Sequence, residues 1–426
     1  MDTLSTEEQN PTPDDQRPVS FAIVSTAEIA KNKVIPGLLS VPYAVLVGVS
    51  SRSREKAQAF VDEHCGGAPC MGMTHDEIFD GVDAPGTTAT PRIDALYVPL
   101  PSGVRNSYLK RALELGKHVY SEKPHGGTVN ELRAVLDLAA SKNLQWMDGT
   151  MWYHAHRTKE MEERLLPSSS NASGNPKPLG KVRRVSASFT WGGGGLVDEA
   201  WREGGNGRTD PLREPMGMLG DSGHYPVSAV LWAFGWELPT MAKAVYTKRN
   251  RLGAIISVEA VLWFEDGGRA IVDASCELPH RSQFEIVCDN GILRVDDLVG
   301  GQGRSGDFGA YERPFVGASE YTLGDYTGRD TKASAEACDQ VQCLLRAFCG
   351  RVKAIEGGGA ADPEWSRRSL CTHTVLCAIF ESSMRDGVDV GIVRGNTDTR
   401  ATGYVIEGQT YGDLPTRDWS QATRGP

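Results

Sequence analysis

The chain has 426 residues, 40% of them hydrophobic, enough for a large buried core and, by length, for two domains. A formal net charge of −10 excludes a nucleic acid or an anionic membrane recruited by bulk attraction, while a local basic pocket for one small phosphate stays compatible with it. The nine cysteines are scattered, without C-x-x-C or paired Cys/His spacing, which reads as a reducing, cytoplasmic setting and no metal site.

Residues 1–18, "MDTLSTEEQNPTPDDQRP", are acidic, polar and proline-bearing. They predict a disordered tail and lack the apolar centre of a signal peptide. No apolar run is as long as a membrane span. From Val19 to Gly149 short β-rich runs alternate with helical stretches. "VSFAIVS" reads as a buried strand, "AEIAKNKVIPGLL" as a helix, "YAVLVGVS" as a second strand and "SREKAQAFVDEH" as a helix opened by Ser53. "IDALYVPL" is a strand, "SGVRNSYLKRALELG" a helix stopped by Gly116, and "KHVYS" another strand. The helix "TVNELRAVLDLAASKN" and the strand "LQWMD" complete the series. Strict β-α-β alternation predicts an α/β domain over 19–149, a doubly wound parallel sheet with helices on both faces.

After Gly149 the pattern changes. A helix is predicted over roughly 155–165, and "PSSSNASGNPKPLG" is a surface loop by composition, its sequon at Asn171 read as idle because nothing else points to secretion. "KVRRVSASFTW" alternates like a strand, and residues 192–220 are glycine-rich and irregular. "MAKAVYT", "AIISVEAVLWF", "RAIVDASCE", "QFEIVC" and "GILRV" follow as neighbouring strands, with turns such as "EDGG" and "DNG" between them. Strands in succession predict a large, mostly antiparallel sheet in an α+β domain over 150–390. Helices are predicted at 333–350 and 363–386, the last free to pack back onto the first domain, and 391–426 form a C-terminal tail.

Three segments carry candidate chemistry. The first βα turn, "VSTAEIA", puts Ser25, Ala27 and Ala30 where a dinucleotide-binding G-x-G-x-x-G/A turn has its small residues. Ser25, Thr26, Ala27, Glu28 and Ile29 are therefore candidate cofactor contacts, although small residues here also suit helix–strand packing. At the end of the second strand, "SSRSREK" offers Ser51, Arg52 and Lys56 and no acid. That favours NADP(H) over NAD(H), because arginine forks onto a 2′-phosphate where an acid would bind the ribose hydroxyl; the alternative is a solvated helix start. In "GMLGDSGHYPVSAVLWAFG", Asp221 and Tyr225 share a face at the head of an apolar helix, and Gly223 between them permits close approach. A tyrosine acts as acid or base toward a carbonyl or hydroxyl, and a nearby ammonium favours its ionised form. Lys123, in "HVYSEKPHGG", supplies that ammonium if the two domains bring the segments together. Taken singly, Tyr225 reads as a structural residue and Asp221 as a helix N-cap.

In this order, "IDALYVPLPSGVRNSYLKRALELGKHVYSEKP", "WMDGTMW", "LGDSGHYPVSAVLWAFG" and "WSRRSLCTHTVLCAIFESS" resemble the Gfo/Idh/MocA oxidoreductase family, from about residue 17 to 387. The nearest branch closes D-x-G-x-Y with tyrosine rather than histidine. The resemblance implies an N-terminal Rossmann domain, a C-terminal open sheet, an active site between them and a homodimer through the outer sheet face. It implies that Lys123 lies near the nicotinamide ribose and the substrate, that Tyr225 is the general acid/base and that Asp221 helps to position the site. Pro99, Leu100, Pro101 and Arg105, with Glu122, Lys123 and Pro124, would line the cofactor, and relatives often have a cis bond before the E-K-P proline.

The chain departs from that pattern at several places. Ser25 and Ala27 replace the leading turn glycines, and Arg105 replaces a common histidine. His125 stands where a small apolar residue is usual, and His224 where cysteine or tryptophan is. His125, His224, Trp152, His154 and Arg208 are candidate substrate contacts; the first two read alternatively as solvated residues and Arg208 as a loop anchor. His154 and His156 do not share a helix face and make a poor metal pair.

The expectation is a cytoplasmic, metal-free, dimeric NADP(H)-dependent oxidoreductase. It would move hydride between nicotinamide and a hydroxy/carbonyl carbon of a sugar, polyol or dihydrodiol-like small molecule. Two rivals stand beside it: a dedicated reductase of a secondary-metabolite carbonyl or imine, motivated by the flanking histidines, and a non-catalytic dinucleotide sensor, motivated by the missing glycines.

Overall fold

The computed structural model describes residues 17–80, 91–165, 179–299, 308–312, 329–331, 339–394 and 404–406. The acidic tail through residue 16, the loop around Asn171, Cys338 and most of 300–330 and 391–426 lie outside the described residues.

Six parallel strands form the first sheet: β1 (Val19–Val24), β2 (Ala44–Ser51), β3 (Met71–Thr74), β4 (Ala95–Val98), β5 (His118–Ser121) and β6 (Trp146–Asp148). Their order, β3-β2-β1-β4-β5-β6, reverses between β1 and β4, which opens a crevice at the carboxyl ends of those strands. Side chains of β1 and β4 are buried on both faces, which is why both read as unbroken apolar runs. A π turn at Ala30–Val34 runs into α1 (Ile35–Ser40), and Ser53 caps α2 (Arg54–His64) by accepting the Lys56 amide at 3.2 Å. α3 (Glu77–Asp80) and α4 (Ser102–Glu114) follow, then α5 (Val129–Ser141), opened by a Thr128/Glu131 capping box. The strand β3 was not foreseen. Its Gly72 lies against α2, where a Cβ would stand 2.3 Å from the Gln58 amide nitrogen, so close packing has displaced the β-branched residues that mark a strand.

Past the 3-10 turn Met151–His154 come α6 (His156–Leu165), β7 (Val182–Thr190), α7 (Gly193–Val197), α8 (Met218–Asp221) and α9 (His224–Ala233). The strands β8 (Met241–Arg249), β9 (Ile255–Trp263), β10 (Arg269–Ser275), β11 (Phe284–Cys288), β12 (Gly291–Val295), β13 (Phe308–Glu312) and β14 (Arg329–Thr331) lead to α10 (Gln340–Glu356) and α11 (Pro363–Met384). β15 (Val390–Arg394) and β16 (Tyr404–Ile406) close the series. The second sheet has ten strands in the order β14-β13-β12-β11-β7-β10-β9-β8-β15-β16. Among the described strands of this sheet only the β7/β10 pair is parallel, so the sheet is mixed and mostly antiparallel. It extends into the segment predicted as a tail, because β15 pairs with β8.

The two sheets share packing. α9 and α11 lie on the inner face of the large sheet, and α11 also meets α5 and β6 of the first. Leu132, Trp146, Val230, Val272 and Leu376 belong to one continuous apolar core. The opposite face of the first sheet is covered by α10, with Phe348 5.6 Å from Phe21 between ring centroids. The carboxyl ends of β1, β4 and β5 are thereby held against the segment that carries α8 and α9.

Candidate active site

β5 ends at Ser121, and the chain turns at a cis Lys123–Pro124 bond. Arg105, on α4, holds this corner: its guanidinium donates to the carbonyl oxygens of Leu100 (Nε, 2.7 Å), Pro124 (2.6 Å) and Glu122. Only 3% of Arg105 is exposed, so it joins the Pro99–Pro101 turn to the Glu122–Pro124 corner through their backbones. Glu122 is half-buried below, accepting from the Tyr97 hydroxyl at 2.8 Å and from the Lys123 amide at 3.2 Å. Burial pushes its carboxyl up despite the Lys123 charge.

The corner aims Lys123 at the second domain. Its Nζ donates to Asp221 Oδ1 at 3.0 Å and to the Asp221 carbonyl at 2.9 Å, and it lies 4.6 Å from the centroid of the Tyr225 ring. Burial by itself would lower the lysine, but the negative charge of Asp221, the strongest of its acidic neighbours, outweighs it and holds the ammonium above its ordinary range. Asp221 Oδ2 accepts from Arg208 Nε at 2.9 Å. Burial alone would raise Asp221; with two cations beside it, its carboxyl is instead lowered to about 2. Tyr225 is pushed up by burial, against the lowering effect of Lys123, so the phenol carries its proton at neutral pH. Its hydroxyl lies 3.9 Å from Met151 Sδ, a weak contact. Two residues not foreseen complete the wall: Phe189 meets Tyr225 edge-on at 5.1 Å, and Trp191 carries the Arg208 guanidinium 5.2 Å from its ring centroid. Their alternation on the run "SFTW" is the signal that could have found them.

At the cofactor end, Ser25 adopts φ 132°, a backbone conformation natural to glycine, at the place of the first motif glycine. The turn thus keeps its shape without the residue that makes it easy. Ala27 accepts the Lys31 amide at 3.2 Å, and Glu28 and Ile29 are exposed. Ser51 is buried at the end of β2, while Arg52 and Lys56 are exposed there. The Ser53 hydroxyl donates to Glu55 Oε2 at 2.6 Å, whereas two exposed cations with the Ser51 hydroxyl make a donor set that suits a phosphate. His75, also unforeseen, adds to it: its Nδ1 is 2.9 Å from Ser50 Oγ at the same strand end.

The remaining candidates lie elsewhere than expected. Trp152 is fully buried and donates its indole N–H to Ser228 Oγ at 3.2 Å, which makes it a packing residue. His154 stacks on Trp365 at 4.6 Å, and burial pushes it down to about 3. His125 and His224 are 3% and 1% exposed, which corrects the solvated alternative. His125 Nε2 lies 3.4 Å from Asp148 Oδ2 and His224 Nε2 lies 2.8 Å from Thr150 Oγ1, in the seam between the domains. No group of three His, Cys, Asp or Glu side chains among the described residues is arranged to hold a metal ion.

Comparison with known proteins agrees with this architecture. Residues 19–150 match the profile of an oxidoreductase family with an NAD-binding Rossmann fold, and residues 176–294 match the GFO/IDH/MocA C-terminal domain. The chain is 30% identical over 278 residues to a dTDP-3,4-didehydro-2,6-dideoxy-alpha-D-glucose 3-reductase of Streptomyces antibioticus, covering 65% of this chain and 75% of that protein. It is 26% identical to a D-xylose 1-dehydrogenase (NADP(+)) of Haloferax volcanii, covering 85% and 97%. Among solved structures, a 3-ketoreductase of Actinomadura kijaniata in complex with NADP superposes with a TM-score of 0.64 at 21% identity, over 86% of this chain and 98% of that one. An aldose-aldose oxidoreductase of Caulobacter crescentus gives a TM-score of 0.66 at 18% identity, over 88% and 100%. Two matched domains, met in the order the fold predicts, place this chain in the Gfo/Idh/MocA oxidoreductase family.

Proposed function

We propose that the chain is an NADP(H)-dependent oxidoreductase that reduces, and in reverse oxidises, one carbon of a sugar, polyol or dihydrodiol-like substrate. The observation that carries this reading is the Lys123 ammonium held between Asp221 and the ring of Tyr225. When bound, a reduced nicotinamide supplies the hydride; the chain's own residues handle the proton and the geometry. Ser25–Ile29, Ser51, Arg52 and Lys56 would hold the pyrophosphate and 2′-phosphate, and Pro99–Pro101 with the Glu122–Pro124 corner would flank the nicotinamide end. Tyr225 keeps its proton at neutral pH and therefore stands ready as an acid toward a carbonyl oxygen. Lys123, beside the ring, would stabilise the phenolate left after that transfer, and Asp221 keeps the ammonium from swinging away. A stored phenolic proton favours the reductive direction, and relatives named as a sugar-nucleotide 3-reductase and an NADP(+)-dependent xylose dehydrogenase support a carbohydrate substrate.

The test is Tyr225→Phe. It should lower turnover by about 10²–10⁴-fold while the affinity for NADPH, read by fluorescence titration, stays within about twofold. Turnover equal to that of the parent protein would sink the assignment. The same reading includes a homodimer: Ile271 and Tyr246, exposed at 37% and 48% on β10 and β8, would lie at the contact on the outer sheet face. A monomer in sedimentation velocity at micromolar concentration would refute that part.

A further inference from the structure

Glu214 belongs to none of the motifs read from the sequence, yet it stands where the two domains meet. It lies in the segment leading into α8 and is 7% exposed. Ser102 Oγ, at the first residue of α4, donates to Glu214 Oε2 at 2.7 Å, and the Met216 amide donates to Oε1 at 3.4 Å. Beside this pair, the Gly103 amide donates to the Arg213 carbonyl at 3.1 Å. The substrate-domain loop thus closes the head of α4, where free helical amides favour negative charge.

The two neighbours of this carboxyl group lead to the two halves of the site. Ser102 is the residue on which the E-K-P corner packs: a Cβ at Gly126 would lie 1.9 Å from the Ser102 carbonyl oxygen. Gly220, the residue before Asp221, leaves the space the carboxyl group occupies, because a Cβ there would stand 2.5 Å from Glu214 Oε1. One side chain therefore fills the gap between the backing of Lys123 and the approach to Asp221.

This is an expensive place for an acid. Burial pushes Glu214 up to about 7, against the Ser102 hydrogen bond and the Arg105 charge, with Asp221 adding to the rise. A packed apolar residue would be more stable in such a seam, so the acid is there for what it does.

Resting on the reading of Lys123, Asp221 and Tyr225 above, we infer that Glu214 is a positioning residue that docks the Asp221 segment onto the head of α4, so that Asp221 meets Lys123. The charged groups facing it are Arg105 of α4 and Asp221 of α8. Ionised, its two oxygens accept from Ser102 and from the Met216 amide; protonated, one oxygen becomes a donor and an acceptor position is lost. Burial outweighs that lost acceptor, so the docked segment holds the protonated form more tightly and docking loosens as pH climbs through neutrality.

The experiment compares the full chain with Glu214→Gln and Glu214→Ala, using NADPH with a panel of ketoses and aldoses and NADP+ with a panel of polyols, and follows amide hydrogen exchange at Gly103 and Asp221. Glu214→Ala should lower kcat by about tenfold or more, leave the NADPH affinity within about twofold, and speed exchange at both amides. Glu214→Gln, of equal shape, should restore most of the kcat and lack the inflection near neutral pH expected of the parent protein. Unchanged kcat in Glu214→Ala, or an inflection that persists in Glu214→Gln, would overturn the inference. If the parent protein turns over nothing in the panel, the reading of the site fails by itself. The docking is then decided by exchange alone, where unchanged rates in Glu214→Ala refute it and faster rates uphold it.

Discussion

The ammonium of Lys123 is held twice by Asp221, through Oδ1 at 3.0 Å and through the main-chain carbonyl at 2.9 Å. Because Lys123 hangs from the first sheet and Asp221 closes α8, this pair is also a bond between domains. Two fixed acceptors leave the lysine little freedom, and the direction that remains is toward the Tyr225 ring. Replacing Asp221 by alanine leaves Lys123 and Arg208 without their counter-charge in a largely buried site. The expected loss is about 3–5 kcal/mol of unfolding free energy, read from urea denaturation. A Lys123→Met, Asp221→Ala double variant should lose clearly less than the sum of the single losses, and strict additivity would show the pair to be uncoupled.

Acid should weaken this protein early. Burial holds His154, His224 and His373 down at about 3, so they stay neutral in the fold and gain protons on unfolding. A group with a lowered folded pKa contributes stability above its unfolded value, near 6.5, and loses it as pH falls toward the folded one. Three such groups make stability fall by as much as about 4 kcal/mol per pH unit between roughly pH 6 and 4. Glu214, raised to about 7, works in the opposite sense: its contribution is full below its unfolded value and lost as pH climbs through neutrality. Denaturation midpoints at pH 8, 6 and 5 decide the balance, and a midpoint at pH 5 equal to that at pH 8 would contradict it.

Ser25→Gly should be stabilising. The serine sits at φ 132°, where a side chain is strained, and glycine relieves this at the cost of a more flexible unfolded chain. The net gain is about 1 kcal/mol, visible as a rise in Tm. Ser25→Ala keeps the strain and should show no rise.

Arg52→Ala tests the choice of cofactor. Removing a guanidinium that faces a 2′-phosphate should weaken NADPH by about tenfold and leave NADH within about twofold, with a shallower salt dependence for NADPH. Equal losses for both nucleotides would place Arg52 away from the phosphate.

The first domain was legible because its strands are buried on both faces and its helices are properly capped, as at Ser53 and Thr128. The meeting of Lys123 with Asp221 and Tyr225 was legible only as a condition, since spacing says nothing about how two domains face each other. The place of Trp152 was not legible, because a tryptophan beside a motif looks the same in sequence whether it faces a ligand or, as here, lies buried and donates to Ser228. His125 and His224 look polar in sequence, and only the fold shows that each is buried with a partner on Nε2, Asp148 and Thr150. Glu214 could not have been found: an isolated glutamate in an irregular, glycine-rich stretch has no periodicity, and its partner Ser102 lies 112 positions away.

The helix α10 closes a face of the sheet built by the first strands of the chain, with Leu344, Leu345 and Phe348 packed among Phe21, Ile35 and Leu38. A ribosome therefore delivers the β-strands of the cofactor half long before the residues that cover them. A chain ending before residue 340 would lack α10 and leave that apolar side uncovered.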